Sequence, residues 1–86
     1  MPLAEVTVFG CDGTKDIQMV SRSEMLRDLN KIVGGYIEMI TPNHKIGYLL
    51  ADEIYIVNEL GWGLSANPAV PGLVGPVVLM KAKDFE

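Results

Sequence analysis

Val33-Gly34-Gly35-Tyr36-Ile37-Glu38 joins two hydrophobic runs of different period across a pair of glycines. Upstream, Met25, Leu26, Leu29, Ile32 and Val33 recur at i, i+1, i+4, i+7 and i+8, which is one face of a helix. Downstream, Tyr36-Ile37-Glu38-Met39-Ile40 reads as a strand and is halted by Thr41-Pro42-Asn43. Adjacent glycines accept positive φ, so a helix can stop and a strand start with almost no loop between them. The joint fixes an αβ unit. It carries no chemistry of its own.

Working outward, Ser21-Arg22-Ser23-Glu24 matches a capping box, with Ser21 at the N-cap and Glu24 reaching back from N3. Before it, Leu3–Phe9 and Asp16–Val20 are β-prone runs separated by Gly10-Cys11-Asp12-Gly13-Thr14-Lys15, which predicts a hairpin. Beyond the joint, His44–Gly47 is a loop and Tyr48–Ala51 a strand or brief extension. Glu53–Val57 is a central strand, and Asn58–Gly61 a turn. Trp62-Gly63-Leu64 is at most a short return strand, and Pro68 and Pro71 set a loop over Ser65–Gly72. Val74–Met80 is a last strand and 81–86 a polar tail. The expectation is a single α+β domain over 1–86, one helix on a mainly antiparallel sheet of five to six strands. One helix covers one sheet face, so the other is expected to be open for dimerisation or ligand binding.

A chain of 86 residues has room for one core and buries roughly 60–65% of its unfolded surface. It is 49% hydrophobic and 21% charged, apolar for its size, which predicts a homodimer or higher oligomer. Seven Lys/Arg against eleven Asp/Glu give a net charge of −4, which argues against general binding of nucleic acid. The one cysteine, Cys11, excludes an internal disulfide and fits a reducing cytoplasm. Met1–Glu5 lacks the basic region and apolar stretch of a signal peptide. Leu60–Met80, the longest uncharged stretch, is broken by three prolines and four glycines, so no membrane span is expected.

No catalytic constellation emerges. His44 stands alone in a polar loop, and Cys11 has no neighbouring base to activate it. Ser21 and Ser23 are explained by capping. Asp52 and Glu53 are adjacent, so an extended strand would point them to opposite faces and exclude a paired-carboxylate site. Gly34-Gly35 lies at a helix C-terminus, where the dipole disfavours phosphate. No His/Cys cluster has metal-ligand spacing, and neither a metal nor a cofactor is expected. Trp62, between Gly61 and Gly63 and near Asn58, Glu59, Ser65 and Asn67, has two open readings: a contact residue, or an indole that plugs a small core.

Together, Val33–Glu38, Val57-Asn58-Glu59-Leu60-Gly61, Asn67 and Gly75-Pro76-Val77-Val78 form a wider pattern. Over residues 3–80 the chain resembles a family of short proteins of unknown function found mainly in tailed phages, prophages and other mobile elements. That family is similar in its hairpin, a helix running into VGGYIE, a strand ending in an NExG turn, a loop Asn and a final GPVV strand. It usually carries a second acidic residue and a Lys where this chain has Leu60 and Trp62, a shift that suggests a contact surface. The resemblance implies a mobile-element origin, a bacterial host cytoplasm and no enzyme activity.

The expected function is that of a non-enzymatic phage accessory protein that binds a host protein and inhibits a bacterial defence system such as CRISPR. The candidate binding residues are Tyr36, Glu38, Asn58, Glu59, Trp62 and Asn67. The alternatives are a sponge for a small nucleotide signal in an inter-subunit pocket, a phage structural or assembly protein, and a small nucleotide-processing enzyme. The nucleotide route would draw on Trp62, Tyr36, Arg22, Arg27 and Lys45.

Overall fold

The hairpin forms where the alternating runs place it. In the computed structural model, which describes residues 3–85, β1 (Leu3–Phe9) pairs antiparallel with β2 (Lys15–Ser21), Leu3 opposite Ser21 and Phe9 opposite Lys15. Met1, Pro2 and Glu86, part of the readings of the amino terminus and of the polar tail, lie outside the described residues. Helix α1 (Met25–Val33), β3 (Ile37–Ile40), β4 (Glu53–Asn58) and β5 (Val77–Lys81) follow. The five strands run in the order β2-β1-β5-β4-β3, and every neighbouring pair is antiparallel. This is the expected α+β architecture with five strands.

The helix begins later than the capping box implies. Ser21 stays in β2 opposite Leu3, and its N–H donates to the Asp28 carboxylate at 3.0 Å. Glu24 holds the N-cap position without a side-chain cap and pairs instead with Arg27. Pairing in the hairpin has overridden a local motif. Met25, Leu29 and Val33 turn to the sheet and Ile32 packs partly against it, whereas Leu26, expected on the same face, is 59% exposed. The other end follows the reading of the glycines. Gly34 sits in the left-handed region at φ 83°, and the N–H groups of Gly34 and Gly35 both donate to the Asn30 carbonyl. A Cβ at Gly34 would meet nothing within 4 Å, so Gly34→Ala carries only the backbone cost. It is expected to destabilise by about 1 kcal/mol in urea denaturation, without altering binding.

Three assignments change. Tyr48–Ala51 forms no sixth strand, because the Tyr48 N–H donates to the Tyr55 hydroxyl and that of Leu50 to the Glu53 carboxylate. These donors are occupied by side chains. Val74 makes only an isolated bridge with Ala66, and β5 starts at Val77 once Gly75 (φ 75°) and Pro76 are passed. The tail is not simply polar: Lys81 closes β5, Ala82–Asp84 is a 3-10 turn, and Phe85 packs on the helix-side core.

The sheet has a core on each face. Leu29 packs over Val6, Ile54, Ile56, Val78 and Met80 on the helix side. On the other face Ile40, Tyr55, Val57 and Val77 are covered by Val70 and Leu73, with Ile46 and Leu49 beside them. The expectation of a bare second face is therefore corrected. The segments between β3 and β4 and between β4 and β5 fold over half of it. The other half, along β1 and β2, leaves Leu3, Ile17 and Met19 half-exposed or more. No helix among the described residues is long and apolar enough to cross a membrane.

Candidate binding surface

The β3–β4 end of the sheet is held by asparagines. Asn58 Nδ2 donates to the Val33 carbonyl at 3.1 Å, and its Oδ1 accepts the N–H groups of Leu60 and Gly61, each at 3.0 Å. One amide thus ties the helix C-terminus to the turn after β4. The Glu59 N–H donates to the Tyr36 carbonyl at 2.8 Å, which extends the β3–β4 ladder by one pair. Next comes a tight turn closed by Leu64 N–H donating to the Gly61 carbonyl at 3.3 Å, with Gly63 at φ 73°. Positive φ at the third residue suits a type II turn. Trp62 is the second residue of that turn and is 85% exposed.

Exposure separates the six candidates. Tyr36 is 78% exposed, and Glu38 and Glu59 are exposed as well. With Ile37 opposite Asn58 and Glu38 opposite Val57, alternation puts Tyr36, Glu38 and Glu59 on one face, three residues before Trp62. Leu60, 64% exposed, belongs to the same corner. Asn58 and Asn67 are different. Asn58 is spent on the clamp just described. Asn67 is 2% exposed; its Nδ2 donates to the carbonyls of Phe9 and Gly75 at 2.9 Å each, and its Oδ1 accepts the Ala69 N–H at 2.9 Å. A buried amide with these partners cannot meet a ligand, so Asn67 holds the loop and is not a contact. Of Trp62's two readings, the core plug is excluded: Val70 and Leu73 already fill the second core, and the indole lies outside it.

The polar groups elsewhere are occupied by one another. His44 Nδ1 accepts the Thr41 N–H at 3.0 Å and lies 3.1 Å from the Thr41 hydroxyl, closing the 3-10 turn Pro42–His44. Asp52 and Glu53 do not diverge as expected. Asp52 lies in the turn ahead of β4 instead of in the strand, and both carboxylates approach Lys81 Nζ, at 3.1 and 3.8 Å. With Glu5, Thr7, Leu79 and Asp84 nearby, Glu53 and Lys81 line a shallow cleft of about 250 Å³. Asp84 is itself paired with Arg22 at 2.9 Å. Among the described residues no three His, Cys, Asp or Glu side chains are grouped to hold a metal ion.

Two carboxylates titrate low. The Lys81 ammonium, by its hydrogen bond, holds Asp52 below the usual carboxylate range, and the Thr14 hydroxyl and N–H do the same for Asp12. A lowered folded-state pKa favours the fold above the unfolded value and loses that contribution as pH falls through the folded one. Both groups are exposed, so the consequence is spectroscopic. In a carboxyl-carbon NMR titration Asp52 should titrate below an ordinary aspartate, and Lys81→Met should raise its midpoint while leaving that of Asp12 in place.

Two of the three cations proposed for a nucleotide site, Arg22 and Arg27, are paired away from the aromatics. Arg22 is paired with Asp84 and Arg27 with Glu24, both at the start of α1, whereas Asn58 ties the end of α1 to the turn that bears Trp62. Asn67 and Asn58 carried a sequence signal of their own: an asparagine two residues before a turn N–H, as in Asn67-Pro68-Ala69 and Asn58-Glu59-Leu60, is the Asx-turn pattern. The approach of Asp52 to Lys81 had none, because the partners are 29 residues apart. Comparison with protein-family models, with curated proteins and with solved structures yields no match for this chain.

Proposed function

We propose that this chain is a non-enzymatic binding module that engages another protein through the corner formed by Tyr36, Glu38, Glu59, Leu60 and Trp62. The observation that carries the reading is Trp62: a tryptophan 85% exposed and held on a hydrogen-bonded turn. A large aromatic left in water is a loss for an isolated small domain and an asset for an interface, where tryptophan is enriched among the residues that dominate affinity. The asparagine clamp supports this reading, because a backbone already fixed loses little entropy on binding. The resemblance to proteins of phages and mobile elements supports a host protein of the bacterial cytoplasm as the partner, and interference with a defence system as the purpose.

A photocrosslinking amino acid at position 60, which leaves Trp62 in place, tests the surface in bacterial cells. The same host protein should be trapped from position 60, not from the exposed control position 43, and the adduct should vanish in Trp62→Ala. Equal trapping from both positions, or none from position 60, would overturn the assignment.

Self-association rests on a separate observation, the exposed Leu3, Ile17 and Met19 on the uncovered half of the sheet. Pairing of this half with its counterpart in a second copy would remove them from water. Sedimentation equilibrium at micromolar concentration should show a dimer that Ile17→Lys dissociates; a strict monomer would remove this reading.

A further inference from the structure

Both edge strands of the sheet, β2 and β3, are sealed at one end only. At the β2 edge, Lys15 stands at one end, and at the other the Ser21 N–H is taken by Asp28 and its carbonyl by the Glu24 N–H. Charged residues and sealed backbone groups are how sheets discourage strand addition. At the β3 edge the Thr41 N–H is likewise taken, by His44 Nδ1, and Glu38 is the one charged residue of the strand. The Glu59 N–H bond to the Tyr36 carbonyl sets the phase of the β3–β4 ladder, so Tyr36, Glu38 and Ile40 turn their backbone groups inward and Ile37 and Met39 turn theirs outward. Among the described residues nothing accepts or donates to those outward groups across the edge.

The charged residues of β3 and of the turn after β4 are of one sign, Glu38 and Glu59. From Ile32 to His44 and from Ile54 to Met80 the chain contains no Lys or Arg, and Lys31 and Lys45 are the first cations flanking β3 in sequence. Tyr36 and Glu38 lie on one side of the open edge, with Glu59 opposite Tyr36 and Trp62 on the adjoining turn. Neither Glu38 nor Glu59 makes an ion pair among the described residues.

We propose that β3 takes an extended, Lys/Arg-bearing segment of the partner protein as an added strand. The inference rests on the binding reading above and specifies the partner's chemistry. The outward groups of Ile37 and Met39 would supply main-chain hydrogen bonds, as in other strand-addition complexes. Alternate side chains of the incoming strand then fall beside Glu38 and Tyr36. A lysine or arginine there is matched by a carboxylate and by an aromatic face, whereas an acidic side chain meets a like charge.

The test uses the full-length chain labelled with nitrogen-15 and two nine-residue probes, one alternating Lys with Val and the other Glu with Val. The lysine probe should shift the amides of Ile37, Met39 and Glu59 and the Trp62 indole. Its affinity should fall at least about fivefold between roughly 20 mM and 300 mM NaCl. Met39→Pro should abolish binding without opening the β3–β4 ladder, since the N–H it removes points outward. Should that variant not fold, Glu38→Gln with Glu59→Gln serves instead and should weaken binding and flatten the salt dependence. No shift with the lysine probe, equal shifts with the glutamate probe, or shifts centred on Ile17 and Met19 would overturn the proposal. If crosslinking from position 60 still traps a partner while the probes fail, the strand-addition proposal falls and the binding corner stands. Failure of both experiments removes both.

Discussion

Asn67→Asp is expected to cost roughly 3–5 kcal/mol at neutral pH, the range for an uncompensated buried charge. The exchange adds no bulk. It replaces a donor to the carbonyls of Phe9 and Gly75 by a carboxylate oxygen facing both of them, in a position 2% exposed. Such a carboxyl group has its folded pKa raised by burial and by the two carbonyl dipoles. The variant is therefore least impaired below the unfolded value, about 4, and loses stability as pH rises through the folded one. Asn67→Ala should cost roughly 2–3 kcal/mol with no such pH dependence, since it removes the hydrogen bonds without adding a charge. Against a total of about 5–15 kcal/mol, either is a large fraction. Urea melts followed by far-UV circular dichroism at pH 4 and pH 8 separate the two variants. Trp62 fluorescence is a poor reporter because the indole is already in water. A cost for Asn67→Asp under about 1 kcal/mol at pH 8 would show that the loop over the second sheet face is held by something else.

Trp62→Ala should weaken partner binding by at least about 2 kcal/mol, some thirtyfold, while changing stability by less than about 1 kcal/mol. The asymmetry follows from position. A core aromatic costs roughly 3–5 kcal/mol when truncated, because it leaves a cavity. An indole 85% exposed leaves none. Titration calorimetry against the captured partner, beside a urea melt, reads both quantities. Loss of stability in step with binding would mean that the indole supports the fold.

Features with local causes were legible in the sequence, and those with distant causes were not. Asp12-Gly13 marks the hairpin turn, the spacing of Met25, Leu29 and Val33 marks the helix, and Gly34 ends it, each through neighbours in the chain. Ser21 misled because its capping motif competes with a strand partner, Leu3, whose register no local pattern reports. Asp52 misled because one residue decides whether a side chain belongs to a strand or to the turn before it. For Trp62 the flanking glycines fit both readings. What decides is that Val70 and Leu73, set between prolines in an unstructured-looking loop, occupy the second core and leave no place for an indole. Four of the corner's residues stood among the candidates. Its neighbours Asn58 and Asn67 proved to be the struts.

We propose that the Tyr36–Trp62 corner, and not the open half of the sheet along β1 and β2, is where this protein meets its partner. Hydrogen–deuterium exchange of the chain alone and in complex with the trapped host protein tests it most directly. Protection is predicted over Ile37–Met39 and Glu59–Leu64, with exchange in Lys15–Met19 unaltered. Protection confined to Lys15–Met19, with the corner exchanging as in the free protein, would place the partner on the β1–β2 half instead.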